Sequence, residues 1–219
     1  MEQNAEQQTR CGFVALIGAP NAGKSTITNN FVGSKVSIVS PKVQTTRTMV
    51  RGIGVYEQTQ IIFIDTPGIF KPKRRLDRAM VSSAWSGVKD ADIVVLVVDA
   101  KRGFDDETQS IVAKLNKQKI EAILVLNKVD LIAKEKLLGL SAQINAAGNF
   151  KETFMKIMKA KKMTNIINLI MAETERDRDR EHYEELMTAA YNLWGFLNYD
   201  LGCANPPDEI WEGSGKFEF

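Results

Sequence analysis

The chain has 219 residues, 44% of them apolar and 26% charged, with a formal net charge of +2. That is the profile of a globular chain long enough to bury a real core, and its near-neutral balance points to no class of partner. No apolar run approaches the ~20 residues of a membrane span, the single His182 cannot anchor a multi-histidine metal site, and Cys11 and Cys203 lie far apart, as reduced thiols of a cytosolic protein do.

Residues 1–10 (MEQNAEQQTR) are polar, resemble neither a signal peptide nor an anchor, and are expected to be disordered. Residues 13–17 (FVALI) form an apolar run that predicts a buried strand, followed by a helix over Lys24–Phe31. Residues 33–47 lack a period and predict a long loop. Thr48–Tyr56 and Gln60–Ile64 are β-rich, and the short polar turn Glu57–Thr59 joins them as a hairpin. A second loop (TPGIFKPKRR) precedes a helix over Leu76–Val88. ADIVVLVVDA predicts a fully buried strand. The helix Asp105–Lys117 follows, with Ile111, Val112 and Leu115 on one face. EAILVLNKVD predicts a strand that stops at polar residues, and Lys134–Ala147 a helix. Strands alternating with helices predict an α/β fold with a mostly parallel sheet and helices on both faces. Ligands of such sheets bind beyond the carboxyl ends of the strands, where each polar cluster below falls.

The first cluster is GAPNAGKS, Gly18–Ser25, a match to G-x-x-x-x-G-K-[ST] between a predicted strand and helix. Glycines at Gly18 and Gly23 let the backbone turn so that the N–H groups of Ala19, Pro20's neighbours, Ala22 and the helix start make an anion nest. Lys24 reaches the β- and γ-phosphates, and the Ser25 hydroxyl ligates Mg²⁺, with Thr26 behind it. The second cluster ends the strand IIFID. Asp65 can hold Mg²⁺ through water, and Thr66-Pro67-Gly68 follow, with the Gly68 N–H placed to sense a γ-phosphate. The third is Asn127-Lys128-Val129-Asp130. The Asp130 carboxylate accepts two hydrogen bonds from the guanine ring N–H and exocyclic amine, donors that adenine lacks on that edge. Asn127 can tie the base to the phosphate loop, and the Lys128 stem can lie along the ring. In this order the three clusters predict GTP or GDP as ligand.

The wording of four stretches goes further. GFVALIGAPNAGKST, KVSIVSPKVQTTRTMVRGI, FIDTPGIFKPKRRLDRAM and VLNKVDL resemble the Era family of bacterial GTPases, related to translation factors, from about Gly12 to about Phe154. The resemblance implies a P-loop GTPase domain over residues 11–154. It also implies a GTP-hydrolysing switch that binds small-subunit ribosomal RNA and the ribosome during assembly, in the cytoplasm, with peripheral membrane association. It places Thr45 and Thr46 in a first switch loop, Thr46 closing over Mg²⁺, and starts a second switch at Thr66–Gly68. It makes Lys24, Asn21, Thr46 and Gly68 the groups that act on the reaction. Ile69 stands where many GTPases carry a water-orienting glutamine, and no side-chain general base is visible. Asn21 matches the asparagine with which related GTPases ligate K⁺, which implies K⁺-stimulated turnover; as a loop residue alone, it caps the turn. The basic stretch Lys71–Arg78 suits RNA phosphates or, equally, a solvated loop and helix face.

The resemblance ends after Phe154. TFMKIMKAKK stands where the family has a last strand and a Ser-Ala loop against the guanine; Ser141-Ala142 comes too early, in a helical stretch. Residues 155–219 hold no G-x-x-G of an RNA-clamping KH domain, and residues 161–219 carry roughly six more acidic than basic residues. They predict an atypical, mainly helical segment. Met163, Ile166, Ile167 and Ile170 follow helical spacing, as do Tyr183, Leu186, Met187, Ala190, Tyr191, Trp194 and Leu197. The second stripe reads as a helix packed on its own domain, as a helix for a protein partner, or as a segment foreign to the GTPase. Two other functional readings stay open at this point: a guanine-nucleotide module with little turnover, and a truncated or fused chain impaired in base and RNA binding.

Overall fold

The structure, a computed structural model, describes residues 10–39, 48–57, 59–156 and 164–174. The chain divides into two compact units, Met1–Asp177 and Arg178–Phe219, and all described residues belong to the first. Thr45, Thr46, His182, Cys203 and the stripe from Tyr183 to Leu197 lie outside the described residues.

The described elements run β1 (Arg10–Ile17), α1 (Lys24–Val32), β2 (Val50–Tyr56), β3 (Thr59–Asp65), α2 (Arg75–Lys89), β4 (Ile93–Asp99), α3 (Asp106–Lys117), β5 (Ala122–Asn127), a 3-10 turn (Val129–Leu131), α4 (Lys134–Ala147), β6 (Phe150–Lys156) and α5 (Thr164–Thr174). The six strands form one sheet in the order β2-β3-β1-β4-β5-β6. Only the β2–β3 pair is antiparallel. Tyr56 pairs with Thr59, so the predicted hairpin is present and its turn is tighter than the polar stretch implied. Glu57 at its first position takes φ 53°, the primed-turn conformation that suits the twist of paired strands. β1 starts at Arg10, three residues before its apolar run, because pairing of Arg10 with Thr59 needs backbone groups and not apolar side chains.

Alternation along the central strands divides the core in two. Val94, Leu96, Val98, Leu124 and Leu126 pack with α2, α3 and α4 residues such as Trp85, Ile111, Leu115 and Ile144. Val95, Val97, Ile123 and Val125 face the other way, with Ile27 and Phe31 of α1 and Ile166 and Ile170 of α5. Both sets are apolar, which is why these strands read as unbroken hydrophobic runs. Ile170 is 0% exposed, so the helix at 164–174 is part of this core. Three helix ends have a local cause. Gly33, at φ 76°, closes α1 and donates its N–H to the Asn29 carbonyl. Asp105 caps α3 by accepting from the Thr108 N–H at 2.9 Å. Asp77 opens α2 by accepting from the N–H groups of Arg74 and Lys73, which hold its carboxyl below the usual range.

The ring of Phe31 on α1 stacks on Phe63 of β3, centroids 4.7 Å apart and planes 12° from parallel. This contact sets α1, and with it the loop at its N-terminus, against the sheet. Phe63 is fully buried, so Phe63→Ala should cost about 3–5 kcal/mol of stability. A urea titration followed by circular dichroism should show the lowered midpoint.

Candidate nucleotide-binding site

The carboxyl ends of β1, β3, β4 and β5 lie side by side, with Leu16 in register with Asp65 and Asp99 with Asn127. The loop from Gly18 to Gly23 rises from the end of β1 and enters α1. Gly23 sits at φ 103° and is the N-cap of that helix. A Cβ there would come within 2.1 Å of Asn127 Nδ2, so the position demands glycine for its conformation and for its neighbour.

The three sequence clusters converge on this loop. The Asn127 Nδ2 donates to the Ala22 carbonyl at 2.8 Å, across 105 residues of chain. The Lys128 ammonium donates to the Asn21 carbonyl at 2.8 Å and pairs with Asp99 Oδ2 at 2.5 Å. The Ile69 N–H donates to the Gly18 carbonyl at 3.0 Å, and Thr66 Oγ1 donates to the Leu16 carbonyl at 2.7 Å. Gly68 lies so close to the loop that a Cβ would meet the Pro20 Cα at 2.8 Å. Ile69, the aliphatic residue after Gly68, is buried. Ser25 and Thr26 open α1 directly behind Lys24, both half-buried. Asn21 is exposed at the crest of the loop, at φ 61°. Asp130 is exposed on the 3-10 turn that follows β5.

Lys24 is only 6% exposed, and its ammonium donates to the carbonyls of Gly18 and Ala19 at 3.1 and 3.0 Å. Burial pushes its pKa down to about 8, and the nearby Asp65 carboxylate opposes part of that fall. Asp65 is itself fully buried, and its Oδ2 accepts from Ser37 Oγ at 2.9 Å. Asn127 Oδ1 is buried without a hydrogen-bond partner, an acceptor left over beside the loop. A cation and backbone N–H groups at a helix start make a phosphate cradle. A hydroxyl and a carboxylate, both hard oxygen donors, suit Mg²⁺, which keeps most of its water and takes one or two protein oxygens.

A family model described as 50S ribosome-binding GTPase matches residues 13–128, more than half of the chain. The chain belongs to that family. Curated relatives that it matches within the family are named GTPase Era. GTPase Era of Bradyrhizobium sp. (strain ORS 278) is 63% identical over 155 residues, 70% of this chain and 50% of the relative. GTPase Era of Brucella melitensis biotype 1 is 55% identical over 148 residues, 68% of this chain and 48% of the relative. The chain thus spans about half the length of the curated relatives it matches. A crystal structure of Era in complex with MgGDPNP and nucleotides 1506–1542 of 16S ribosomal RNA matches with a TM-score of 0.68 at 33% identity, over 78% of this chain and 58% of that one. The P-loop GTPase fold of the Era-type domain follows from these matches together with the sheet order.

Several residues around the site carried no motif. Asp99 anchors Lys128, and its position at the end of a buried strand was a usable signal. Arg102, paired with Asp105 and Glu107, brings Nη1 within 3.4 Å of the Pro20 carbonyl. Ser37 and Asn29 sit in stretches whose spacing says nothing of their roles. Ser141-Ala142 lies within α4, as expected.

The lowered pKa of Lys24 has a sign. Between about 8 and the ordinary 10.5 the unfolded chain binds more protons than the fold. Its contribution to stability is therefore complete above the upper value and is lost as the pH falls through the lower one. Without nucleotide, the native chain should gain stability relative to Lys24→Met as the pH rises through this window, measured by urea midpoints at intervals of pH.

Proposed function

We propose that the chain binds GTP and GDP at this loop, hydrolyses GTP and works as an Era-type switch in ribosome assembly, in the cytoplasm. The observation that carries the reading is the bond from the Asn127 amide to the Ala22 carbonyl, which joins the base-reading cluster to the phosphate loop in one site. Residues Gly18 to Thr26 cradle the phosphates, with N–H groups turned inward and Lys24 exchanging its two carbonyls for phosphate oxygens. Ser25 and Asp65 would hold Mg²⁺, with Thr46 of the first switch, beside Thr45, as a further oxygen donor; the ion would supply positive charge against the phosphates. Thr66, Pro67 and Gly68 form the second switch, where the closeness of Gly68 to Pro20 lets a γ-phosphate be felt. Asn127, Lys128 and Asp130 read guanine. Small-subunit ribosomal RNA is the partner that the solved Era complex supports. We further take the GTPase domain to include α5, whose Ile166 and Ile170 lie in its core.

Calorimetric titration of the full chain with GDP and with ADP tests the reading. GDP should bind and ADP should be rejected by roughly 10⁴-fold or more, because adenine leaves the Asp130 carboxylate unpaired. Equal affinities, or indifference to GDP, would overturn it.

The finer proposal concerns K⁺. Ile69 cannot orient water, while the exposed Asn21 carries its side chain at the crest of the loop, with its carbonyl steadied by Lys128. A K⁺ held there would supply the positive charge that an arginine finger supplies elsewhere. Phosphate release should be at least about ten-fold faster in K⁺ than in Na⁺, with the difference abolished in Asn21→Ala. Equal rates for the native chain in the two salts would exclude this role.

A further inference from the structure

Ser37 belongs to none of the three clusters, yet it is 2% exposed, while Val36 and Ile38 on either side are 38% and 72% exposed. The chain here turns its polar residue inward and its apolar ones out, the reverse of what burial favours. The hydroxyl so buried reaches Oδ2 of Asp65 at 2.9 Å.

Asn29 on α1, one turn after Ser25, makes this arrangement hold. Its Nδ2 donates to the Ser37 carbonyl at 2.8 Å. Its Oδ1 accepts from the N–H groups of Val36 and Ser37 at 2.9 and 2.8 Å. Three bonds from one amide thus hang a short stretch of irregular backbone on α1. The helix that begins with the phosphate-loop lysine also fixes the residue that grips the carboxylate of β3. The connection runs from α1 through Asn29 and Ser37 to Asp65, and needs no contact along the sheet.

We propose that Ser37 is a positioning residue for Asp65, held in place by Asn29, and that it tunes the affinity of the site for Mg²⁺. The proposal rests on the reading of Asp65 as a metal carboxylate. An O–H donated to one carboxylate oxygen stops the group from rotating. Losing the neighbour that orients a metal-holding group costs typically 10–100-fold in metal affinity. Ser37 also stands eight residues before Thr45, so the same bond anchors the head of the segment that carries the first switch.

The test is release of a fluorescent GDP analogue from the full chain, over a series of Mg²⁺ concentrations and in EDTA. Ser37→Ala should raise the Mg²⁺ concentration that half-maximally slows release by about ten-fold or more, with release in EDTA changed by less than about two-fold. Asn29→Ala should shift it in the same direction. Ser37→Thr, which keeps the hydroxyl, should restore most of the native response. A Mg²⁺ requirement in Ser37→Ala within about two-fold of native would overturn the proposal, as would equal acceleration of release with and without Mg²⁺, the mark of a merely structural role. Thermal melting of each variant without nucleotide reports folding, and Asn29→Ala decides the matter should Ser37→Ala fail to fold. A native chain that holds no GDP in either condition would instead refute the nucleotide site itself.

Discussion

The ammonium of Lys24 is held out of water by two carbonyls of its own loop, with a buried carboxylate nearby. An ion so placed loses hydration that backbone acceptors replace only in part. The cost is acceptable only where phosphate oxygens are to arrive. The geometry around it follows from keeping that position rigid and empty enough. Gly18 and Gly23 turn the backbone, Phe31 on Phe63 seats the helix, and Asn127, Lys128 and Ile69 grip the loop from the ends of β5 and β3. Those grips fall on carbonyl oxygens and so take up none of the loop's N–H groups, of which that of Ala22 donates to the Ala19 carbonyl at 3.3 Å.

Much of this was legible in the sequence because it depends on local chemistry. A buried strand followed by a glycine turn and a lysine has few other readings, and the polar residues that end β3 and β5 stand where α/β sheets place ligands. Helix α4 was expected over Lys134–Ala147 and has those bounds. What escaped was of two kinds. Strand ends such as Arg10 are set by a partner strand and carry no mark in their own side chains. The clasp of Asn29 on Val36 and Ser37 joins a helix side chain to irregular backbone beyond the helix end, and a side-chain-to-backbone contact of that kind leaves no periodic pattern in the residues. Its only sequence trace is a pair of apolar residues flanking a serine, which reads equally well as an edge strand.

Two routes connect the ends of the site. One runs across the sheet from Asn127 to the phosphate loop. The other runs over it from α1 to Asp65. They share α1, whose first turn carries Lys24, Ser25 and Thr26. A small shift of that helix would be felt at base, phosphate and carboxylate together, which is the coupling a switch requires. The matched family model spans residues 13–128 and so includes all of these elements, while the chain reaches only partway along its curated relatives.

Helix α5 lies against β1, with Ile166 and Ile170 closing one side of the core. A gene fragment that stopped after β6 would lack Ile166 and Ile170 and uncover part of the apolar cluster that they complete. Such a patch would invite aggregation during expression. Anyone wishing to graft this module onto another protein, or to crystallise it alone, should place the cut downstream of Thr174.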